Sequence, residues 1–484
     1  MKTRKIGPYI VWIIFLVFTL NTMAQVKEVP ITTSSKEALE YFILGRDNSE
    51  KGEVDSAALL FDKAIQKDPD FAMAYLWRSW SGGGYNVWRQ NLDKAVSLVD
   101  KVSPGEKLVI LEAQASSDGN GQKQKEYLEQ ILKAYPSDKR VQVFVGNDYF
   151  YSKNDFPSAL KHYKKAAELD NNYAAAYNMI GLTQSSLENY KEAEEAFLKY
   201  IKLNPNHADP YDSYAFLLLK SGRYDESIAQ YKLALERNPA YSYSLSGIGN
   251  NYIFKGDYES ARKYYQECFD KASLIDWKFG ALYFKSTSYI YEGKIEKAIN
   301  TYDEYRALGE KENLVPNTID PYFSQGFILV ETGNPAEGMK YYEKANDLIE
   351  KSKLPEADKE NYITSSMMWH IYFLAANGEL VKATNEAEKV RLKVESRKNP
   401  GEEMFLNVVL GYLEFKKGNY DKAIQYLSKG WKESPWIWYY TAVAYQKKGD
   451  QANESKLLEK ITKWNVNGID LALVRKRASD ELKK

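Results

Sequence analysis

Apolar residues recur along nearly the whole chain at the three- and four-residue spacing of one helix face, with charged residues between them. Alternation of the kind a half-buried strand needs is absent. A longer period of about 34 residues is laid over the helical one. In Ala174–His207, Tyr177 and Gly181 sit one turn apart, Ala193, Phe197 and Tyr200 follow at helical spacing, and Pro205 closes the unit. That pattern predicts two antiparallel helices, with the glycine admitting the second helix and the proline stopping it.

Neighbouring segments keep the register. Ala38–Phe71 carries Tyr41, Leu44, Gly45, Ala57, Phe61, Ala64 and Pro69. Gly146, Ala159, Tyr163 and Ala166 repeat it, as do Tyr211, Tyr214, Ala215, Tyr231, Ala234 and Pro239, then Gly249, Tyr252, Ala261 and Tyr265. The pattern resembles the tetratricopeptide repeat. The resemblance covers nearly all of the chain beyond its N-terminus, and implies an all-α, right-handed superhelical solenoid of about eleven or twelve helix pairs. Ala176–Gly181 and Asp209–Ala215 are similar, more narrowly, to exported repeat proteins of Gram-negative bacteria without an assigned reaction.

The chain divides accordingly. Residues 1–24 read as a signal peptide: Lys2, Arg4 and Lys5 precede the apolar run Ile10–Leu20, and Ala24 offers a cleavage point before Gln25. The apolar run is shorter than a membrane-spanning helix needs, so no stable span is expected after cleavage. An N-terminal extension covers 25–37. Helix pairs fill 38–137, with an irregular stretch at 82–105 opened by Gly82-Gly83-Gly84. The best-registered array spans 138–312, looser pairs span 313–468, and a capping helix covers 469–484. Charged, proline-containing stretches at Leu308–Pro321, Glu350–Lys359 and Glu395–Glu402 read as longer loops, the second a candidate hinge. Arg475, Lys476 and Arg477 are expected to complement the C-terminal end of the capping helix.

Charge narrows the function. Sixty-six basic residues balance sixty-six acidic ones, which leaves none of the basic surplus that phosphate neutralisation requires, so nucleic acid is not an expected partner. Three histidines, His162, His207 and His370, stand apart from one another, and no metal site or cofactor is expected. Cys268 occupies a small-residue position at a helix contact. Neither a nucleophile elbow nor a phosphate-cradling loop occurs. Catalysis is not expected; polar clustering around His370 with Glu360 or Asp358 would argue for it.

The resemblance implies that each first helix lines a concave wall. The inner positions give Phe144, Asp148, Tyr151, Asn178, Asp212, Phe216, Tyr243, Asn250, Tyr283 and Phe323 as candidate binding residues. Asparagine can bond both peptide N–H and C=O groups, and the rings offer rigid contact area. An exported periplasmic or secreted scaffold holding a protein or peptide segment is the leading expectation. Repeat domains that clamp a carboxylate carry Lys and Asn on a first helix, then Lys and Arg two repeats on. Phe144 and Asp148, then Asp212 and Phe216, stand there instead, which favours a cationic or neutral polar ligand. The alternative is an envelope accessory protein that binds a glycan or small molecule; it predicts rings gathered in one pocket.

Overall fold

The computed structural model describes residues 28–484, so the expected signal peptide and residues 25–27 lie outside the described residues. Among the described residues twenty-five α-helices follow one another, twelve antiparallel pairs from Lys36–Ser49 to Gln451–Lys463 and then the unpaired helix Ile469–Glu481. No strand occurs among the described residues. The all-α, right-handed solenoid is therefore the architecture.

Within each pair the small-against-large rule operates physically. A Cβ added to Gly45, Gly146, Gly181 or Gly249 would lie only 2.8, 2.5, 2.7 or 2.4 Å from the ring of Phe61, Tyr163, Phe197 or Tyr265. Those four rings are fully buried. Cys268 is buried in the same manner, between Leu245 and Ala281.

The three stretches expected to be longer loops are short turns. Helices end at Lys311, Lys351 and Arg397 and restart at Val315, Glu356 and Pro400. Proline is the reason. Pro316 and Pro400 occupy first-turn positions, where the missing N–H would have no partner anyway, and Pro355 precedes the first residue of its helix. Pro321 lies inside Val315–Glu331. The candidate hinge is crossed by one apolar core that runs from Ile290 to Ala478. The stretch 82–105 is also more regular than expected, with a helix at Gly84–Ser97 and a single 3₁₀ turn at Val99–Lys101.

Distant parts of the array touch. Gly82, Gly83 and Gly84 all have positive φ, and the N–H groups of Gly83 and Gly84 donate to Asp276 at 2.9 and 3.2 Å. Tyr85 donates to Asp358, Asn361 to the Ser117 carbonyl, and Ser186 to Glu433. The last helix does not simply cover the end of the stack. It packs on the first helices Ile275–Tyr291 and Val315–Glu331 as well as on the final pair. Arg475 and Arg477 lie mid-helix rather than at its end. Arg475 bonds the Trp464 and Thr462 carbonyls, and Arg477 pairs at 2.8 Å with the fully buried Glu331.

Glu331 also accepts from Tyr372 at 2.8 Å, Trp436 Nε1 at 2.9 Å and Tyr440 at 3.0 Å. Glu331→Ala strands two buried donors, a half-buried one and one cation. The expected loss is about 3 kcal/mol in urea denaturation, the lower end for a broken buried pair because Arg477 keeps some water. Lys382→Ala, at an exposed pair, is expected to cost less than about 0.5 kcal/mol. Equal effects of the two substitutions would refute the hub.

Candidate functional site

The concave wall is partly filled by the chain itself. After Lys463 the backbone runs without regular structure to Gly468. Its polar groups find partners on first helices. Asn465 Nδ2 donates to the Lys220 carbonyl at 3.4 Å, Asn467 Nδ2 to Asn250 Oδ1 at 2.8 Å, and the Ile469 N–H to Tyr283 Oη at 3.1 Å. The Trp464 ring lies 4.5 Å from the buried Lys220 ammonium. Asn250 and Tyr283 thus face a peptide, and that peptide is this chain's own.

The other candidates separate into three groups. Phe323 is buried and stacks on Trp369 at 5.8 Å, so it is core. Asn178 and Asp212 belong to an acidic cluster. Asn178 Nδ2 donates to Asp209 at 3.3 Å, Asp209 also accepts from Tyr200 and Tyr241, and Asp212 accepts from Ser244 at 2.5 Å. Burial pushes the Asp212 carboxyl up to about 7. Phe216 is half-buried beside it in sequence, and Tyr243 is exposed, although the surrounding protein pushes its phenol up to about 12. The third group is Phe144, Asp148 and Tyr151, and these the fold brings together.

They line an open cavity of about 580 Å³ with Trp80, Trp88, Glu112, Gln124, Asn147 and three serines. Each wall has a local cause. Ala72–Ser79 stops just before Trp80, and the left-handed glycines turn the chain so that Trp88 returns on Gly84–Ser97. Glu112 stands on Pro104–Ser117, whose start is fixed by a reciprocal Ser103–Glu106 capping box. Phe144 and Asn147 end the helix Lys139–Asn147, and one π-helical turn, Asp148–Ser152, follows. The widened turn carries Asp148 and Tyr151; such turns recur at binding sites.

Trp80 is 42% and Tyr151 62% exposed, large rings that water reaches inside a concave site. Trp80 approaches Phe144 at 6.3 Å. Asp148 is buried and paired with Lys153 at 2.5 Å. Glu112 receives one hydrogen bond, from Gln124 at 3.0 Å. Burial pushes its carboxyl up to about 7, and the Asp148 charge adds to the rise. The site can therefore hold a cation or a donor-rich group against two carboxylates, with aromatic faces beside it. Among the described residues no group of three or more His, Cys, Asp or Glu side chains is placed to hold a metal ion.

Models of the tetratricopeptide repeat match residues 148–187, 174–207, 196–229, 215–273, 319–352 and 406–433. The chain carries tetratricopeptide repeats. It is 27% identical to anaphase-promoting complex subunit 3 of Schizosaccharomyces pombe over 45% of its own length and 32% of that protein's. A TPR repeat-containing protein of Methanocaldococcus jannaschii is 22% identical over 65% of this chain and 54% of its own. The chain thus spans between a third and about half of these relatives. Among solved structures, a tetratricopeptide repeat protein from Parabacteroides merdae aligns over 59% of this chain and 98% of its own, at 17% identity and a TM-score of 0.38. YrrB, titled a TPR protein with an unusual peptide-binding site, aligns over 39% and 94%, at 21% identity and a TM-score of 0.26.

Repeat register locates Phe144, Asp148 and Tyr151 on the inner wall, but Trp80, Trp88 and Glu112 escape sequence reasoning. The apparent irregularity after Gly82 hides the register there. Open-groove geometry also gives no reason to expect a pocket between carboxylates; the helices between Trp80 and Ser152 enclose one. His370, Glu360 and Asp358, whose clustering would argue for catalysis, have separate partners. His370 stacks on Tyr342 at 4.9 Å with Glu386 at 3.9 Å, Glu360 pairs with Lys393, and Asp358 meets Tyr85 and Arg89.

Glu112 gives this repeat protein a measurable pH signature. Its folded carboxyl titrates near 7, above its ordinary value of 4.5, so the folded chain holds the extra proton between those values. Stability from this group falls as pH rises through that window, by about 3 kcal/mol in all. Urea denaturation at pH 5 and pH 8 is expected to show the decline in the wild type and a smaller one in Glu112→Gln. Identical pH profiles would contradict the placement of Glu112.

Proposed function

We propose that this tetratricopeptide-repeat protein is an exported, non-catalytic adaptor that takes a segment of a partner protein in the cavity between Trp80 and Tyr151. One observation carries the reading: two exposed rings and two carboxylates share an open cavity of about 580 Å³. Rings give rigid contact area, and the carboxylates favour a segment that presents Lys or Arg while repelling a chain-terminal carboxylate. Gln124, Asn147 and Ser116 add donors and acceptors for its backbone. Glu112 takes one hydrogen bond from Gln124 and Asp148 one ion pair from Lys153, so each keeps acceptor sites for an incoming donor. Tetratricopeptide arrays in general scaffold protein interactions, which supports an adaptor role. Among the described residues no helix is long and apolar enough to cross a membrane. Export rests on the basic-then-apolar run before Gln25.

The test is a peptide-array screen with the purified chain, followed by titration of the best binder. Lys- or Arg-bearing peptides are expected to be retained and their acetyl-lysine copies lost. Trp80→Ala and Asp148→Asn are each expected to weaken binding at least tenfold, about 1.4 kcal/mol. Leu59→Ala, at an exposed residue of a second helix, is the control and should change nothing. Binding that survives the Trp80 and Asp148 changes together would sink the assignment. A saccharide that shifts the melting temperature where no peptide does would transfer the cavity to the glycan-binding reading. Export is checked separately by N-terminal sequencing of the envelope fraction, with Gln25 expected first.

A further inference from the structure

A second chamber, of about 380 Å³, lies in the C-terminal third of the array. Phe327, Trp369, Tyr372, Phe405, Trp431 and Trp436 wall it. These rings support one another: Trp369 lies 5.2 Å from Phe405 and 5.9 Å from Phe327, Phe405 lies 5.6 Å from Trp431, and Phe327 lies 6.1 Å from Trp436. Trp436 is buried, and its indole N–H is fixed on Glu331. Trp431 is 37% exposed, so the chamber is rigid at Trp436 and open to water at Trp431.

Two carboxylates complete the lining, and they are not equivalent. Glu433 is neutralised by Lys220 at 2.6 Å and accepts from Ser186. Asp470 has no ion pair among the described residues. It accepts from Ser434 Oγ at 3.2 Å and from the Leu471 N–H at 3.0 Å. Burial raises its carboxyl above the ordinary value, and no cationic side chain offsets that rise. A half-buried carboxylate that no cation pairs, beside several π faces, is a concentration of negative potential.

We propose that this chamber binds a small organic ammonium, its charged head against Asp470 and the indole faces and its apolar body between the rings. Three properties select that class. The volume suits a small molecule. A saccharide would face six rings with few free partners for its hydroxyls, because Glu433 and Ser434 are already engaged, and would lose hydration without recompense. A fatty acid would bring a third carboxylate to two others. Gathered rings are what a small-molecule ligand requires, and here they gather away from the cavity assigned to the partner segment.

Choline and its uncharged isostere 3,3-dimethylbutan-1-ol are the probes, titrated into the full chain by calorimetry and tryptophan fluorescence. Saturable choline binding is expected with a Kd below about 1 mM, and the isostere should bind at least tenfold more weakly. Asp470→Asn should erase that preference. Because Asp470 also meets two helix starts, Trp431→Ala provides an independent check. It should weaken choline at least tenfold while the melting temperature stays within a degree or two of wild type. Trp80→Ala should leave choline binding unchanged, which separates this site from the peptide cavity. Equal affinity for the two probes, indifference to Asp470→Asn and Trp431→Ala, or absence of saturation by choline would each overturn the proposal.

Discussion

The return of the last segment through the chain's own concave wall is the constraint on which the rest of the structure depends. Residues between Lys463 and Ile469 have no regular structure, so their polar groups lack intrahelical partners and must find others. Asn465 and Asn467 anchor it through their side-chain amides on the Lys220 carbonyl and on Asn250, Tyr283 accepts the Ile469 N–H, and Arg475 donates to the Trp464 carbonyl. The segment seats Ile469–Glu481 inside the array, where Arg477 reaches the buried Glu331. A repeat protein whose units touch only their neighbours is an open spring. This one is tied across its turns, at Gly83 on Asp276, at Tyr85 on Asp358 and at Ser186 on Glu433.

Stability and shape come from different interactions. Burial of Phe61, Tyr163, Phe197 and Tyr265 against glycine-bearing helices is local, apolar and repeated, and each ring of that size contributes on the order of 2 kcal/mol or more. The ties across turns are polar, and a typical one contributes about 1 kcal/mol net. They add modestly to the folded state and strongly to the choice among superhelical shapes. The Glu331 hub is the exception, because its full burial makes every lost partner costly.

Closure also decides where ligands can go. An open groove would expose all the inner positions alike. With the C-terminal segment in place, Asn250 and Tyr283 are engaged, and space remains beside Trp80 and Tyr151 and beside Trp431. Both spaces pair aromatic walls with carboxylates. That agrees with the absence of a basic carboxylate clamp at Phe144, Asp148, Asp212 and Phe216, a feature visible in the residues alone.

The helix pairs were legible in the residues because their cause is local: a glycine, a ring and a proline at set offsets report the contact they make within one unit. Phe144, Asp148 and Tyr151 were legible for the same reason, since register alone places them on one wall. Trp80, Trp88 and Glu112 were not, because the glycine turn that precedes Trp88 obeys a partner, Asp276, nearly two hundred residues away. Nothing near Asn467 in the chain announces Asn250, and nothing near Asp470 announces Trp369. Periodicity therefore determined the repeat and its inner face, whereas only the tertiary structure decided that the face closes on itself and which chambers remain, since side chains matched across two hundred residues leave no periodic trace.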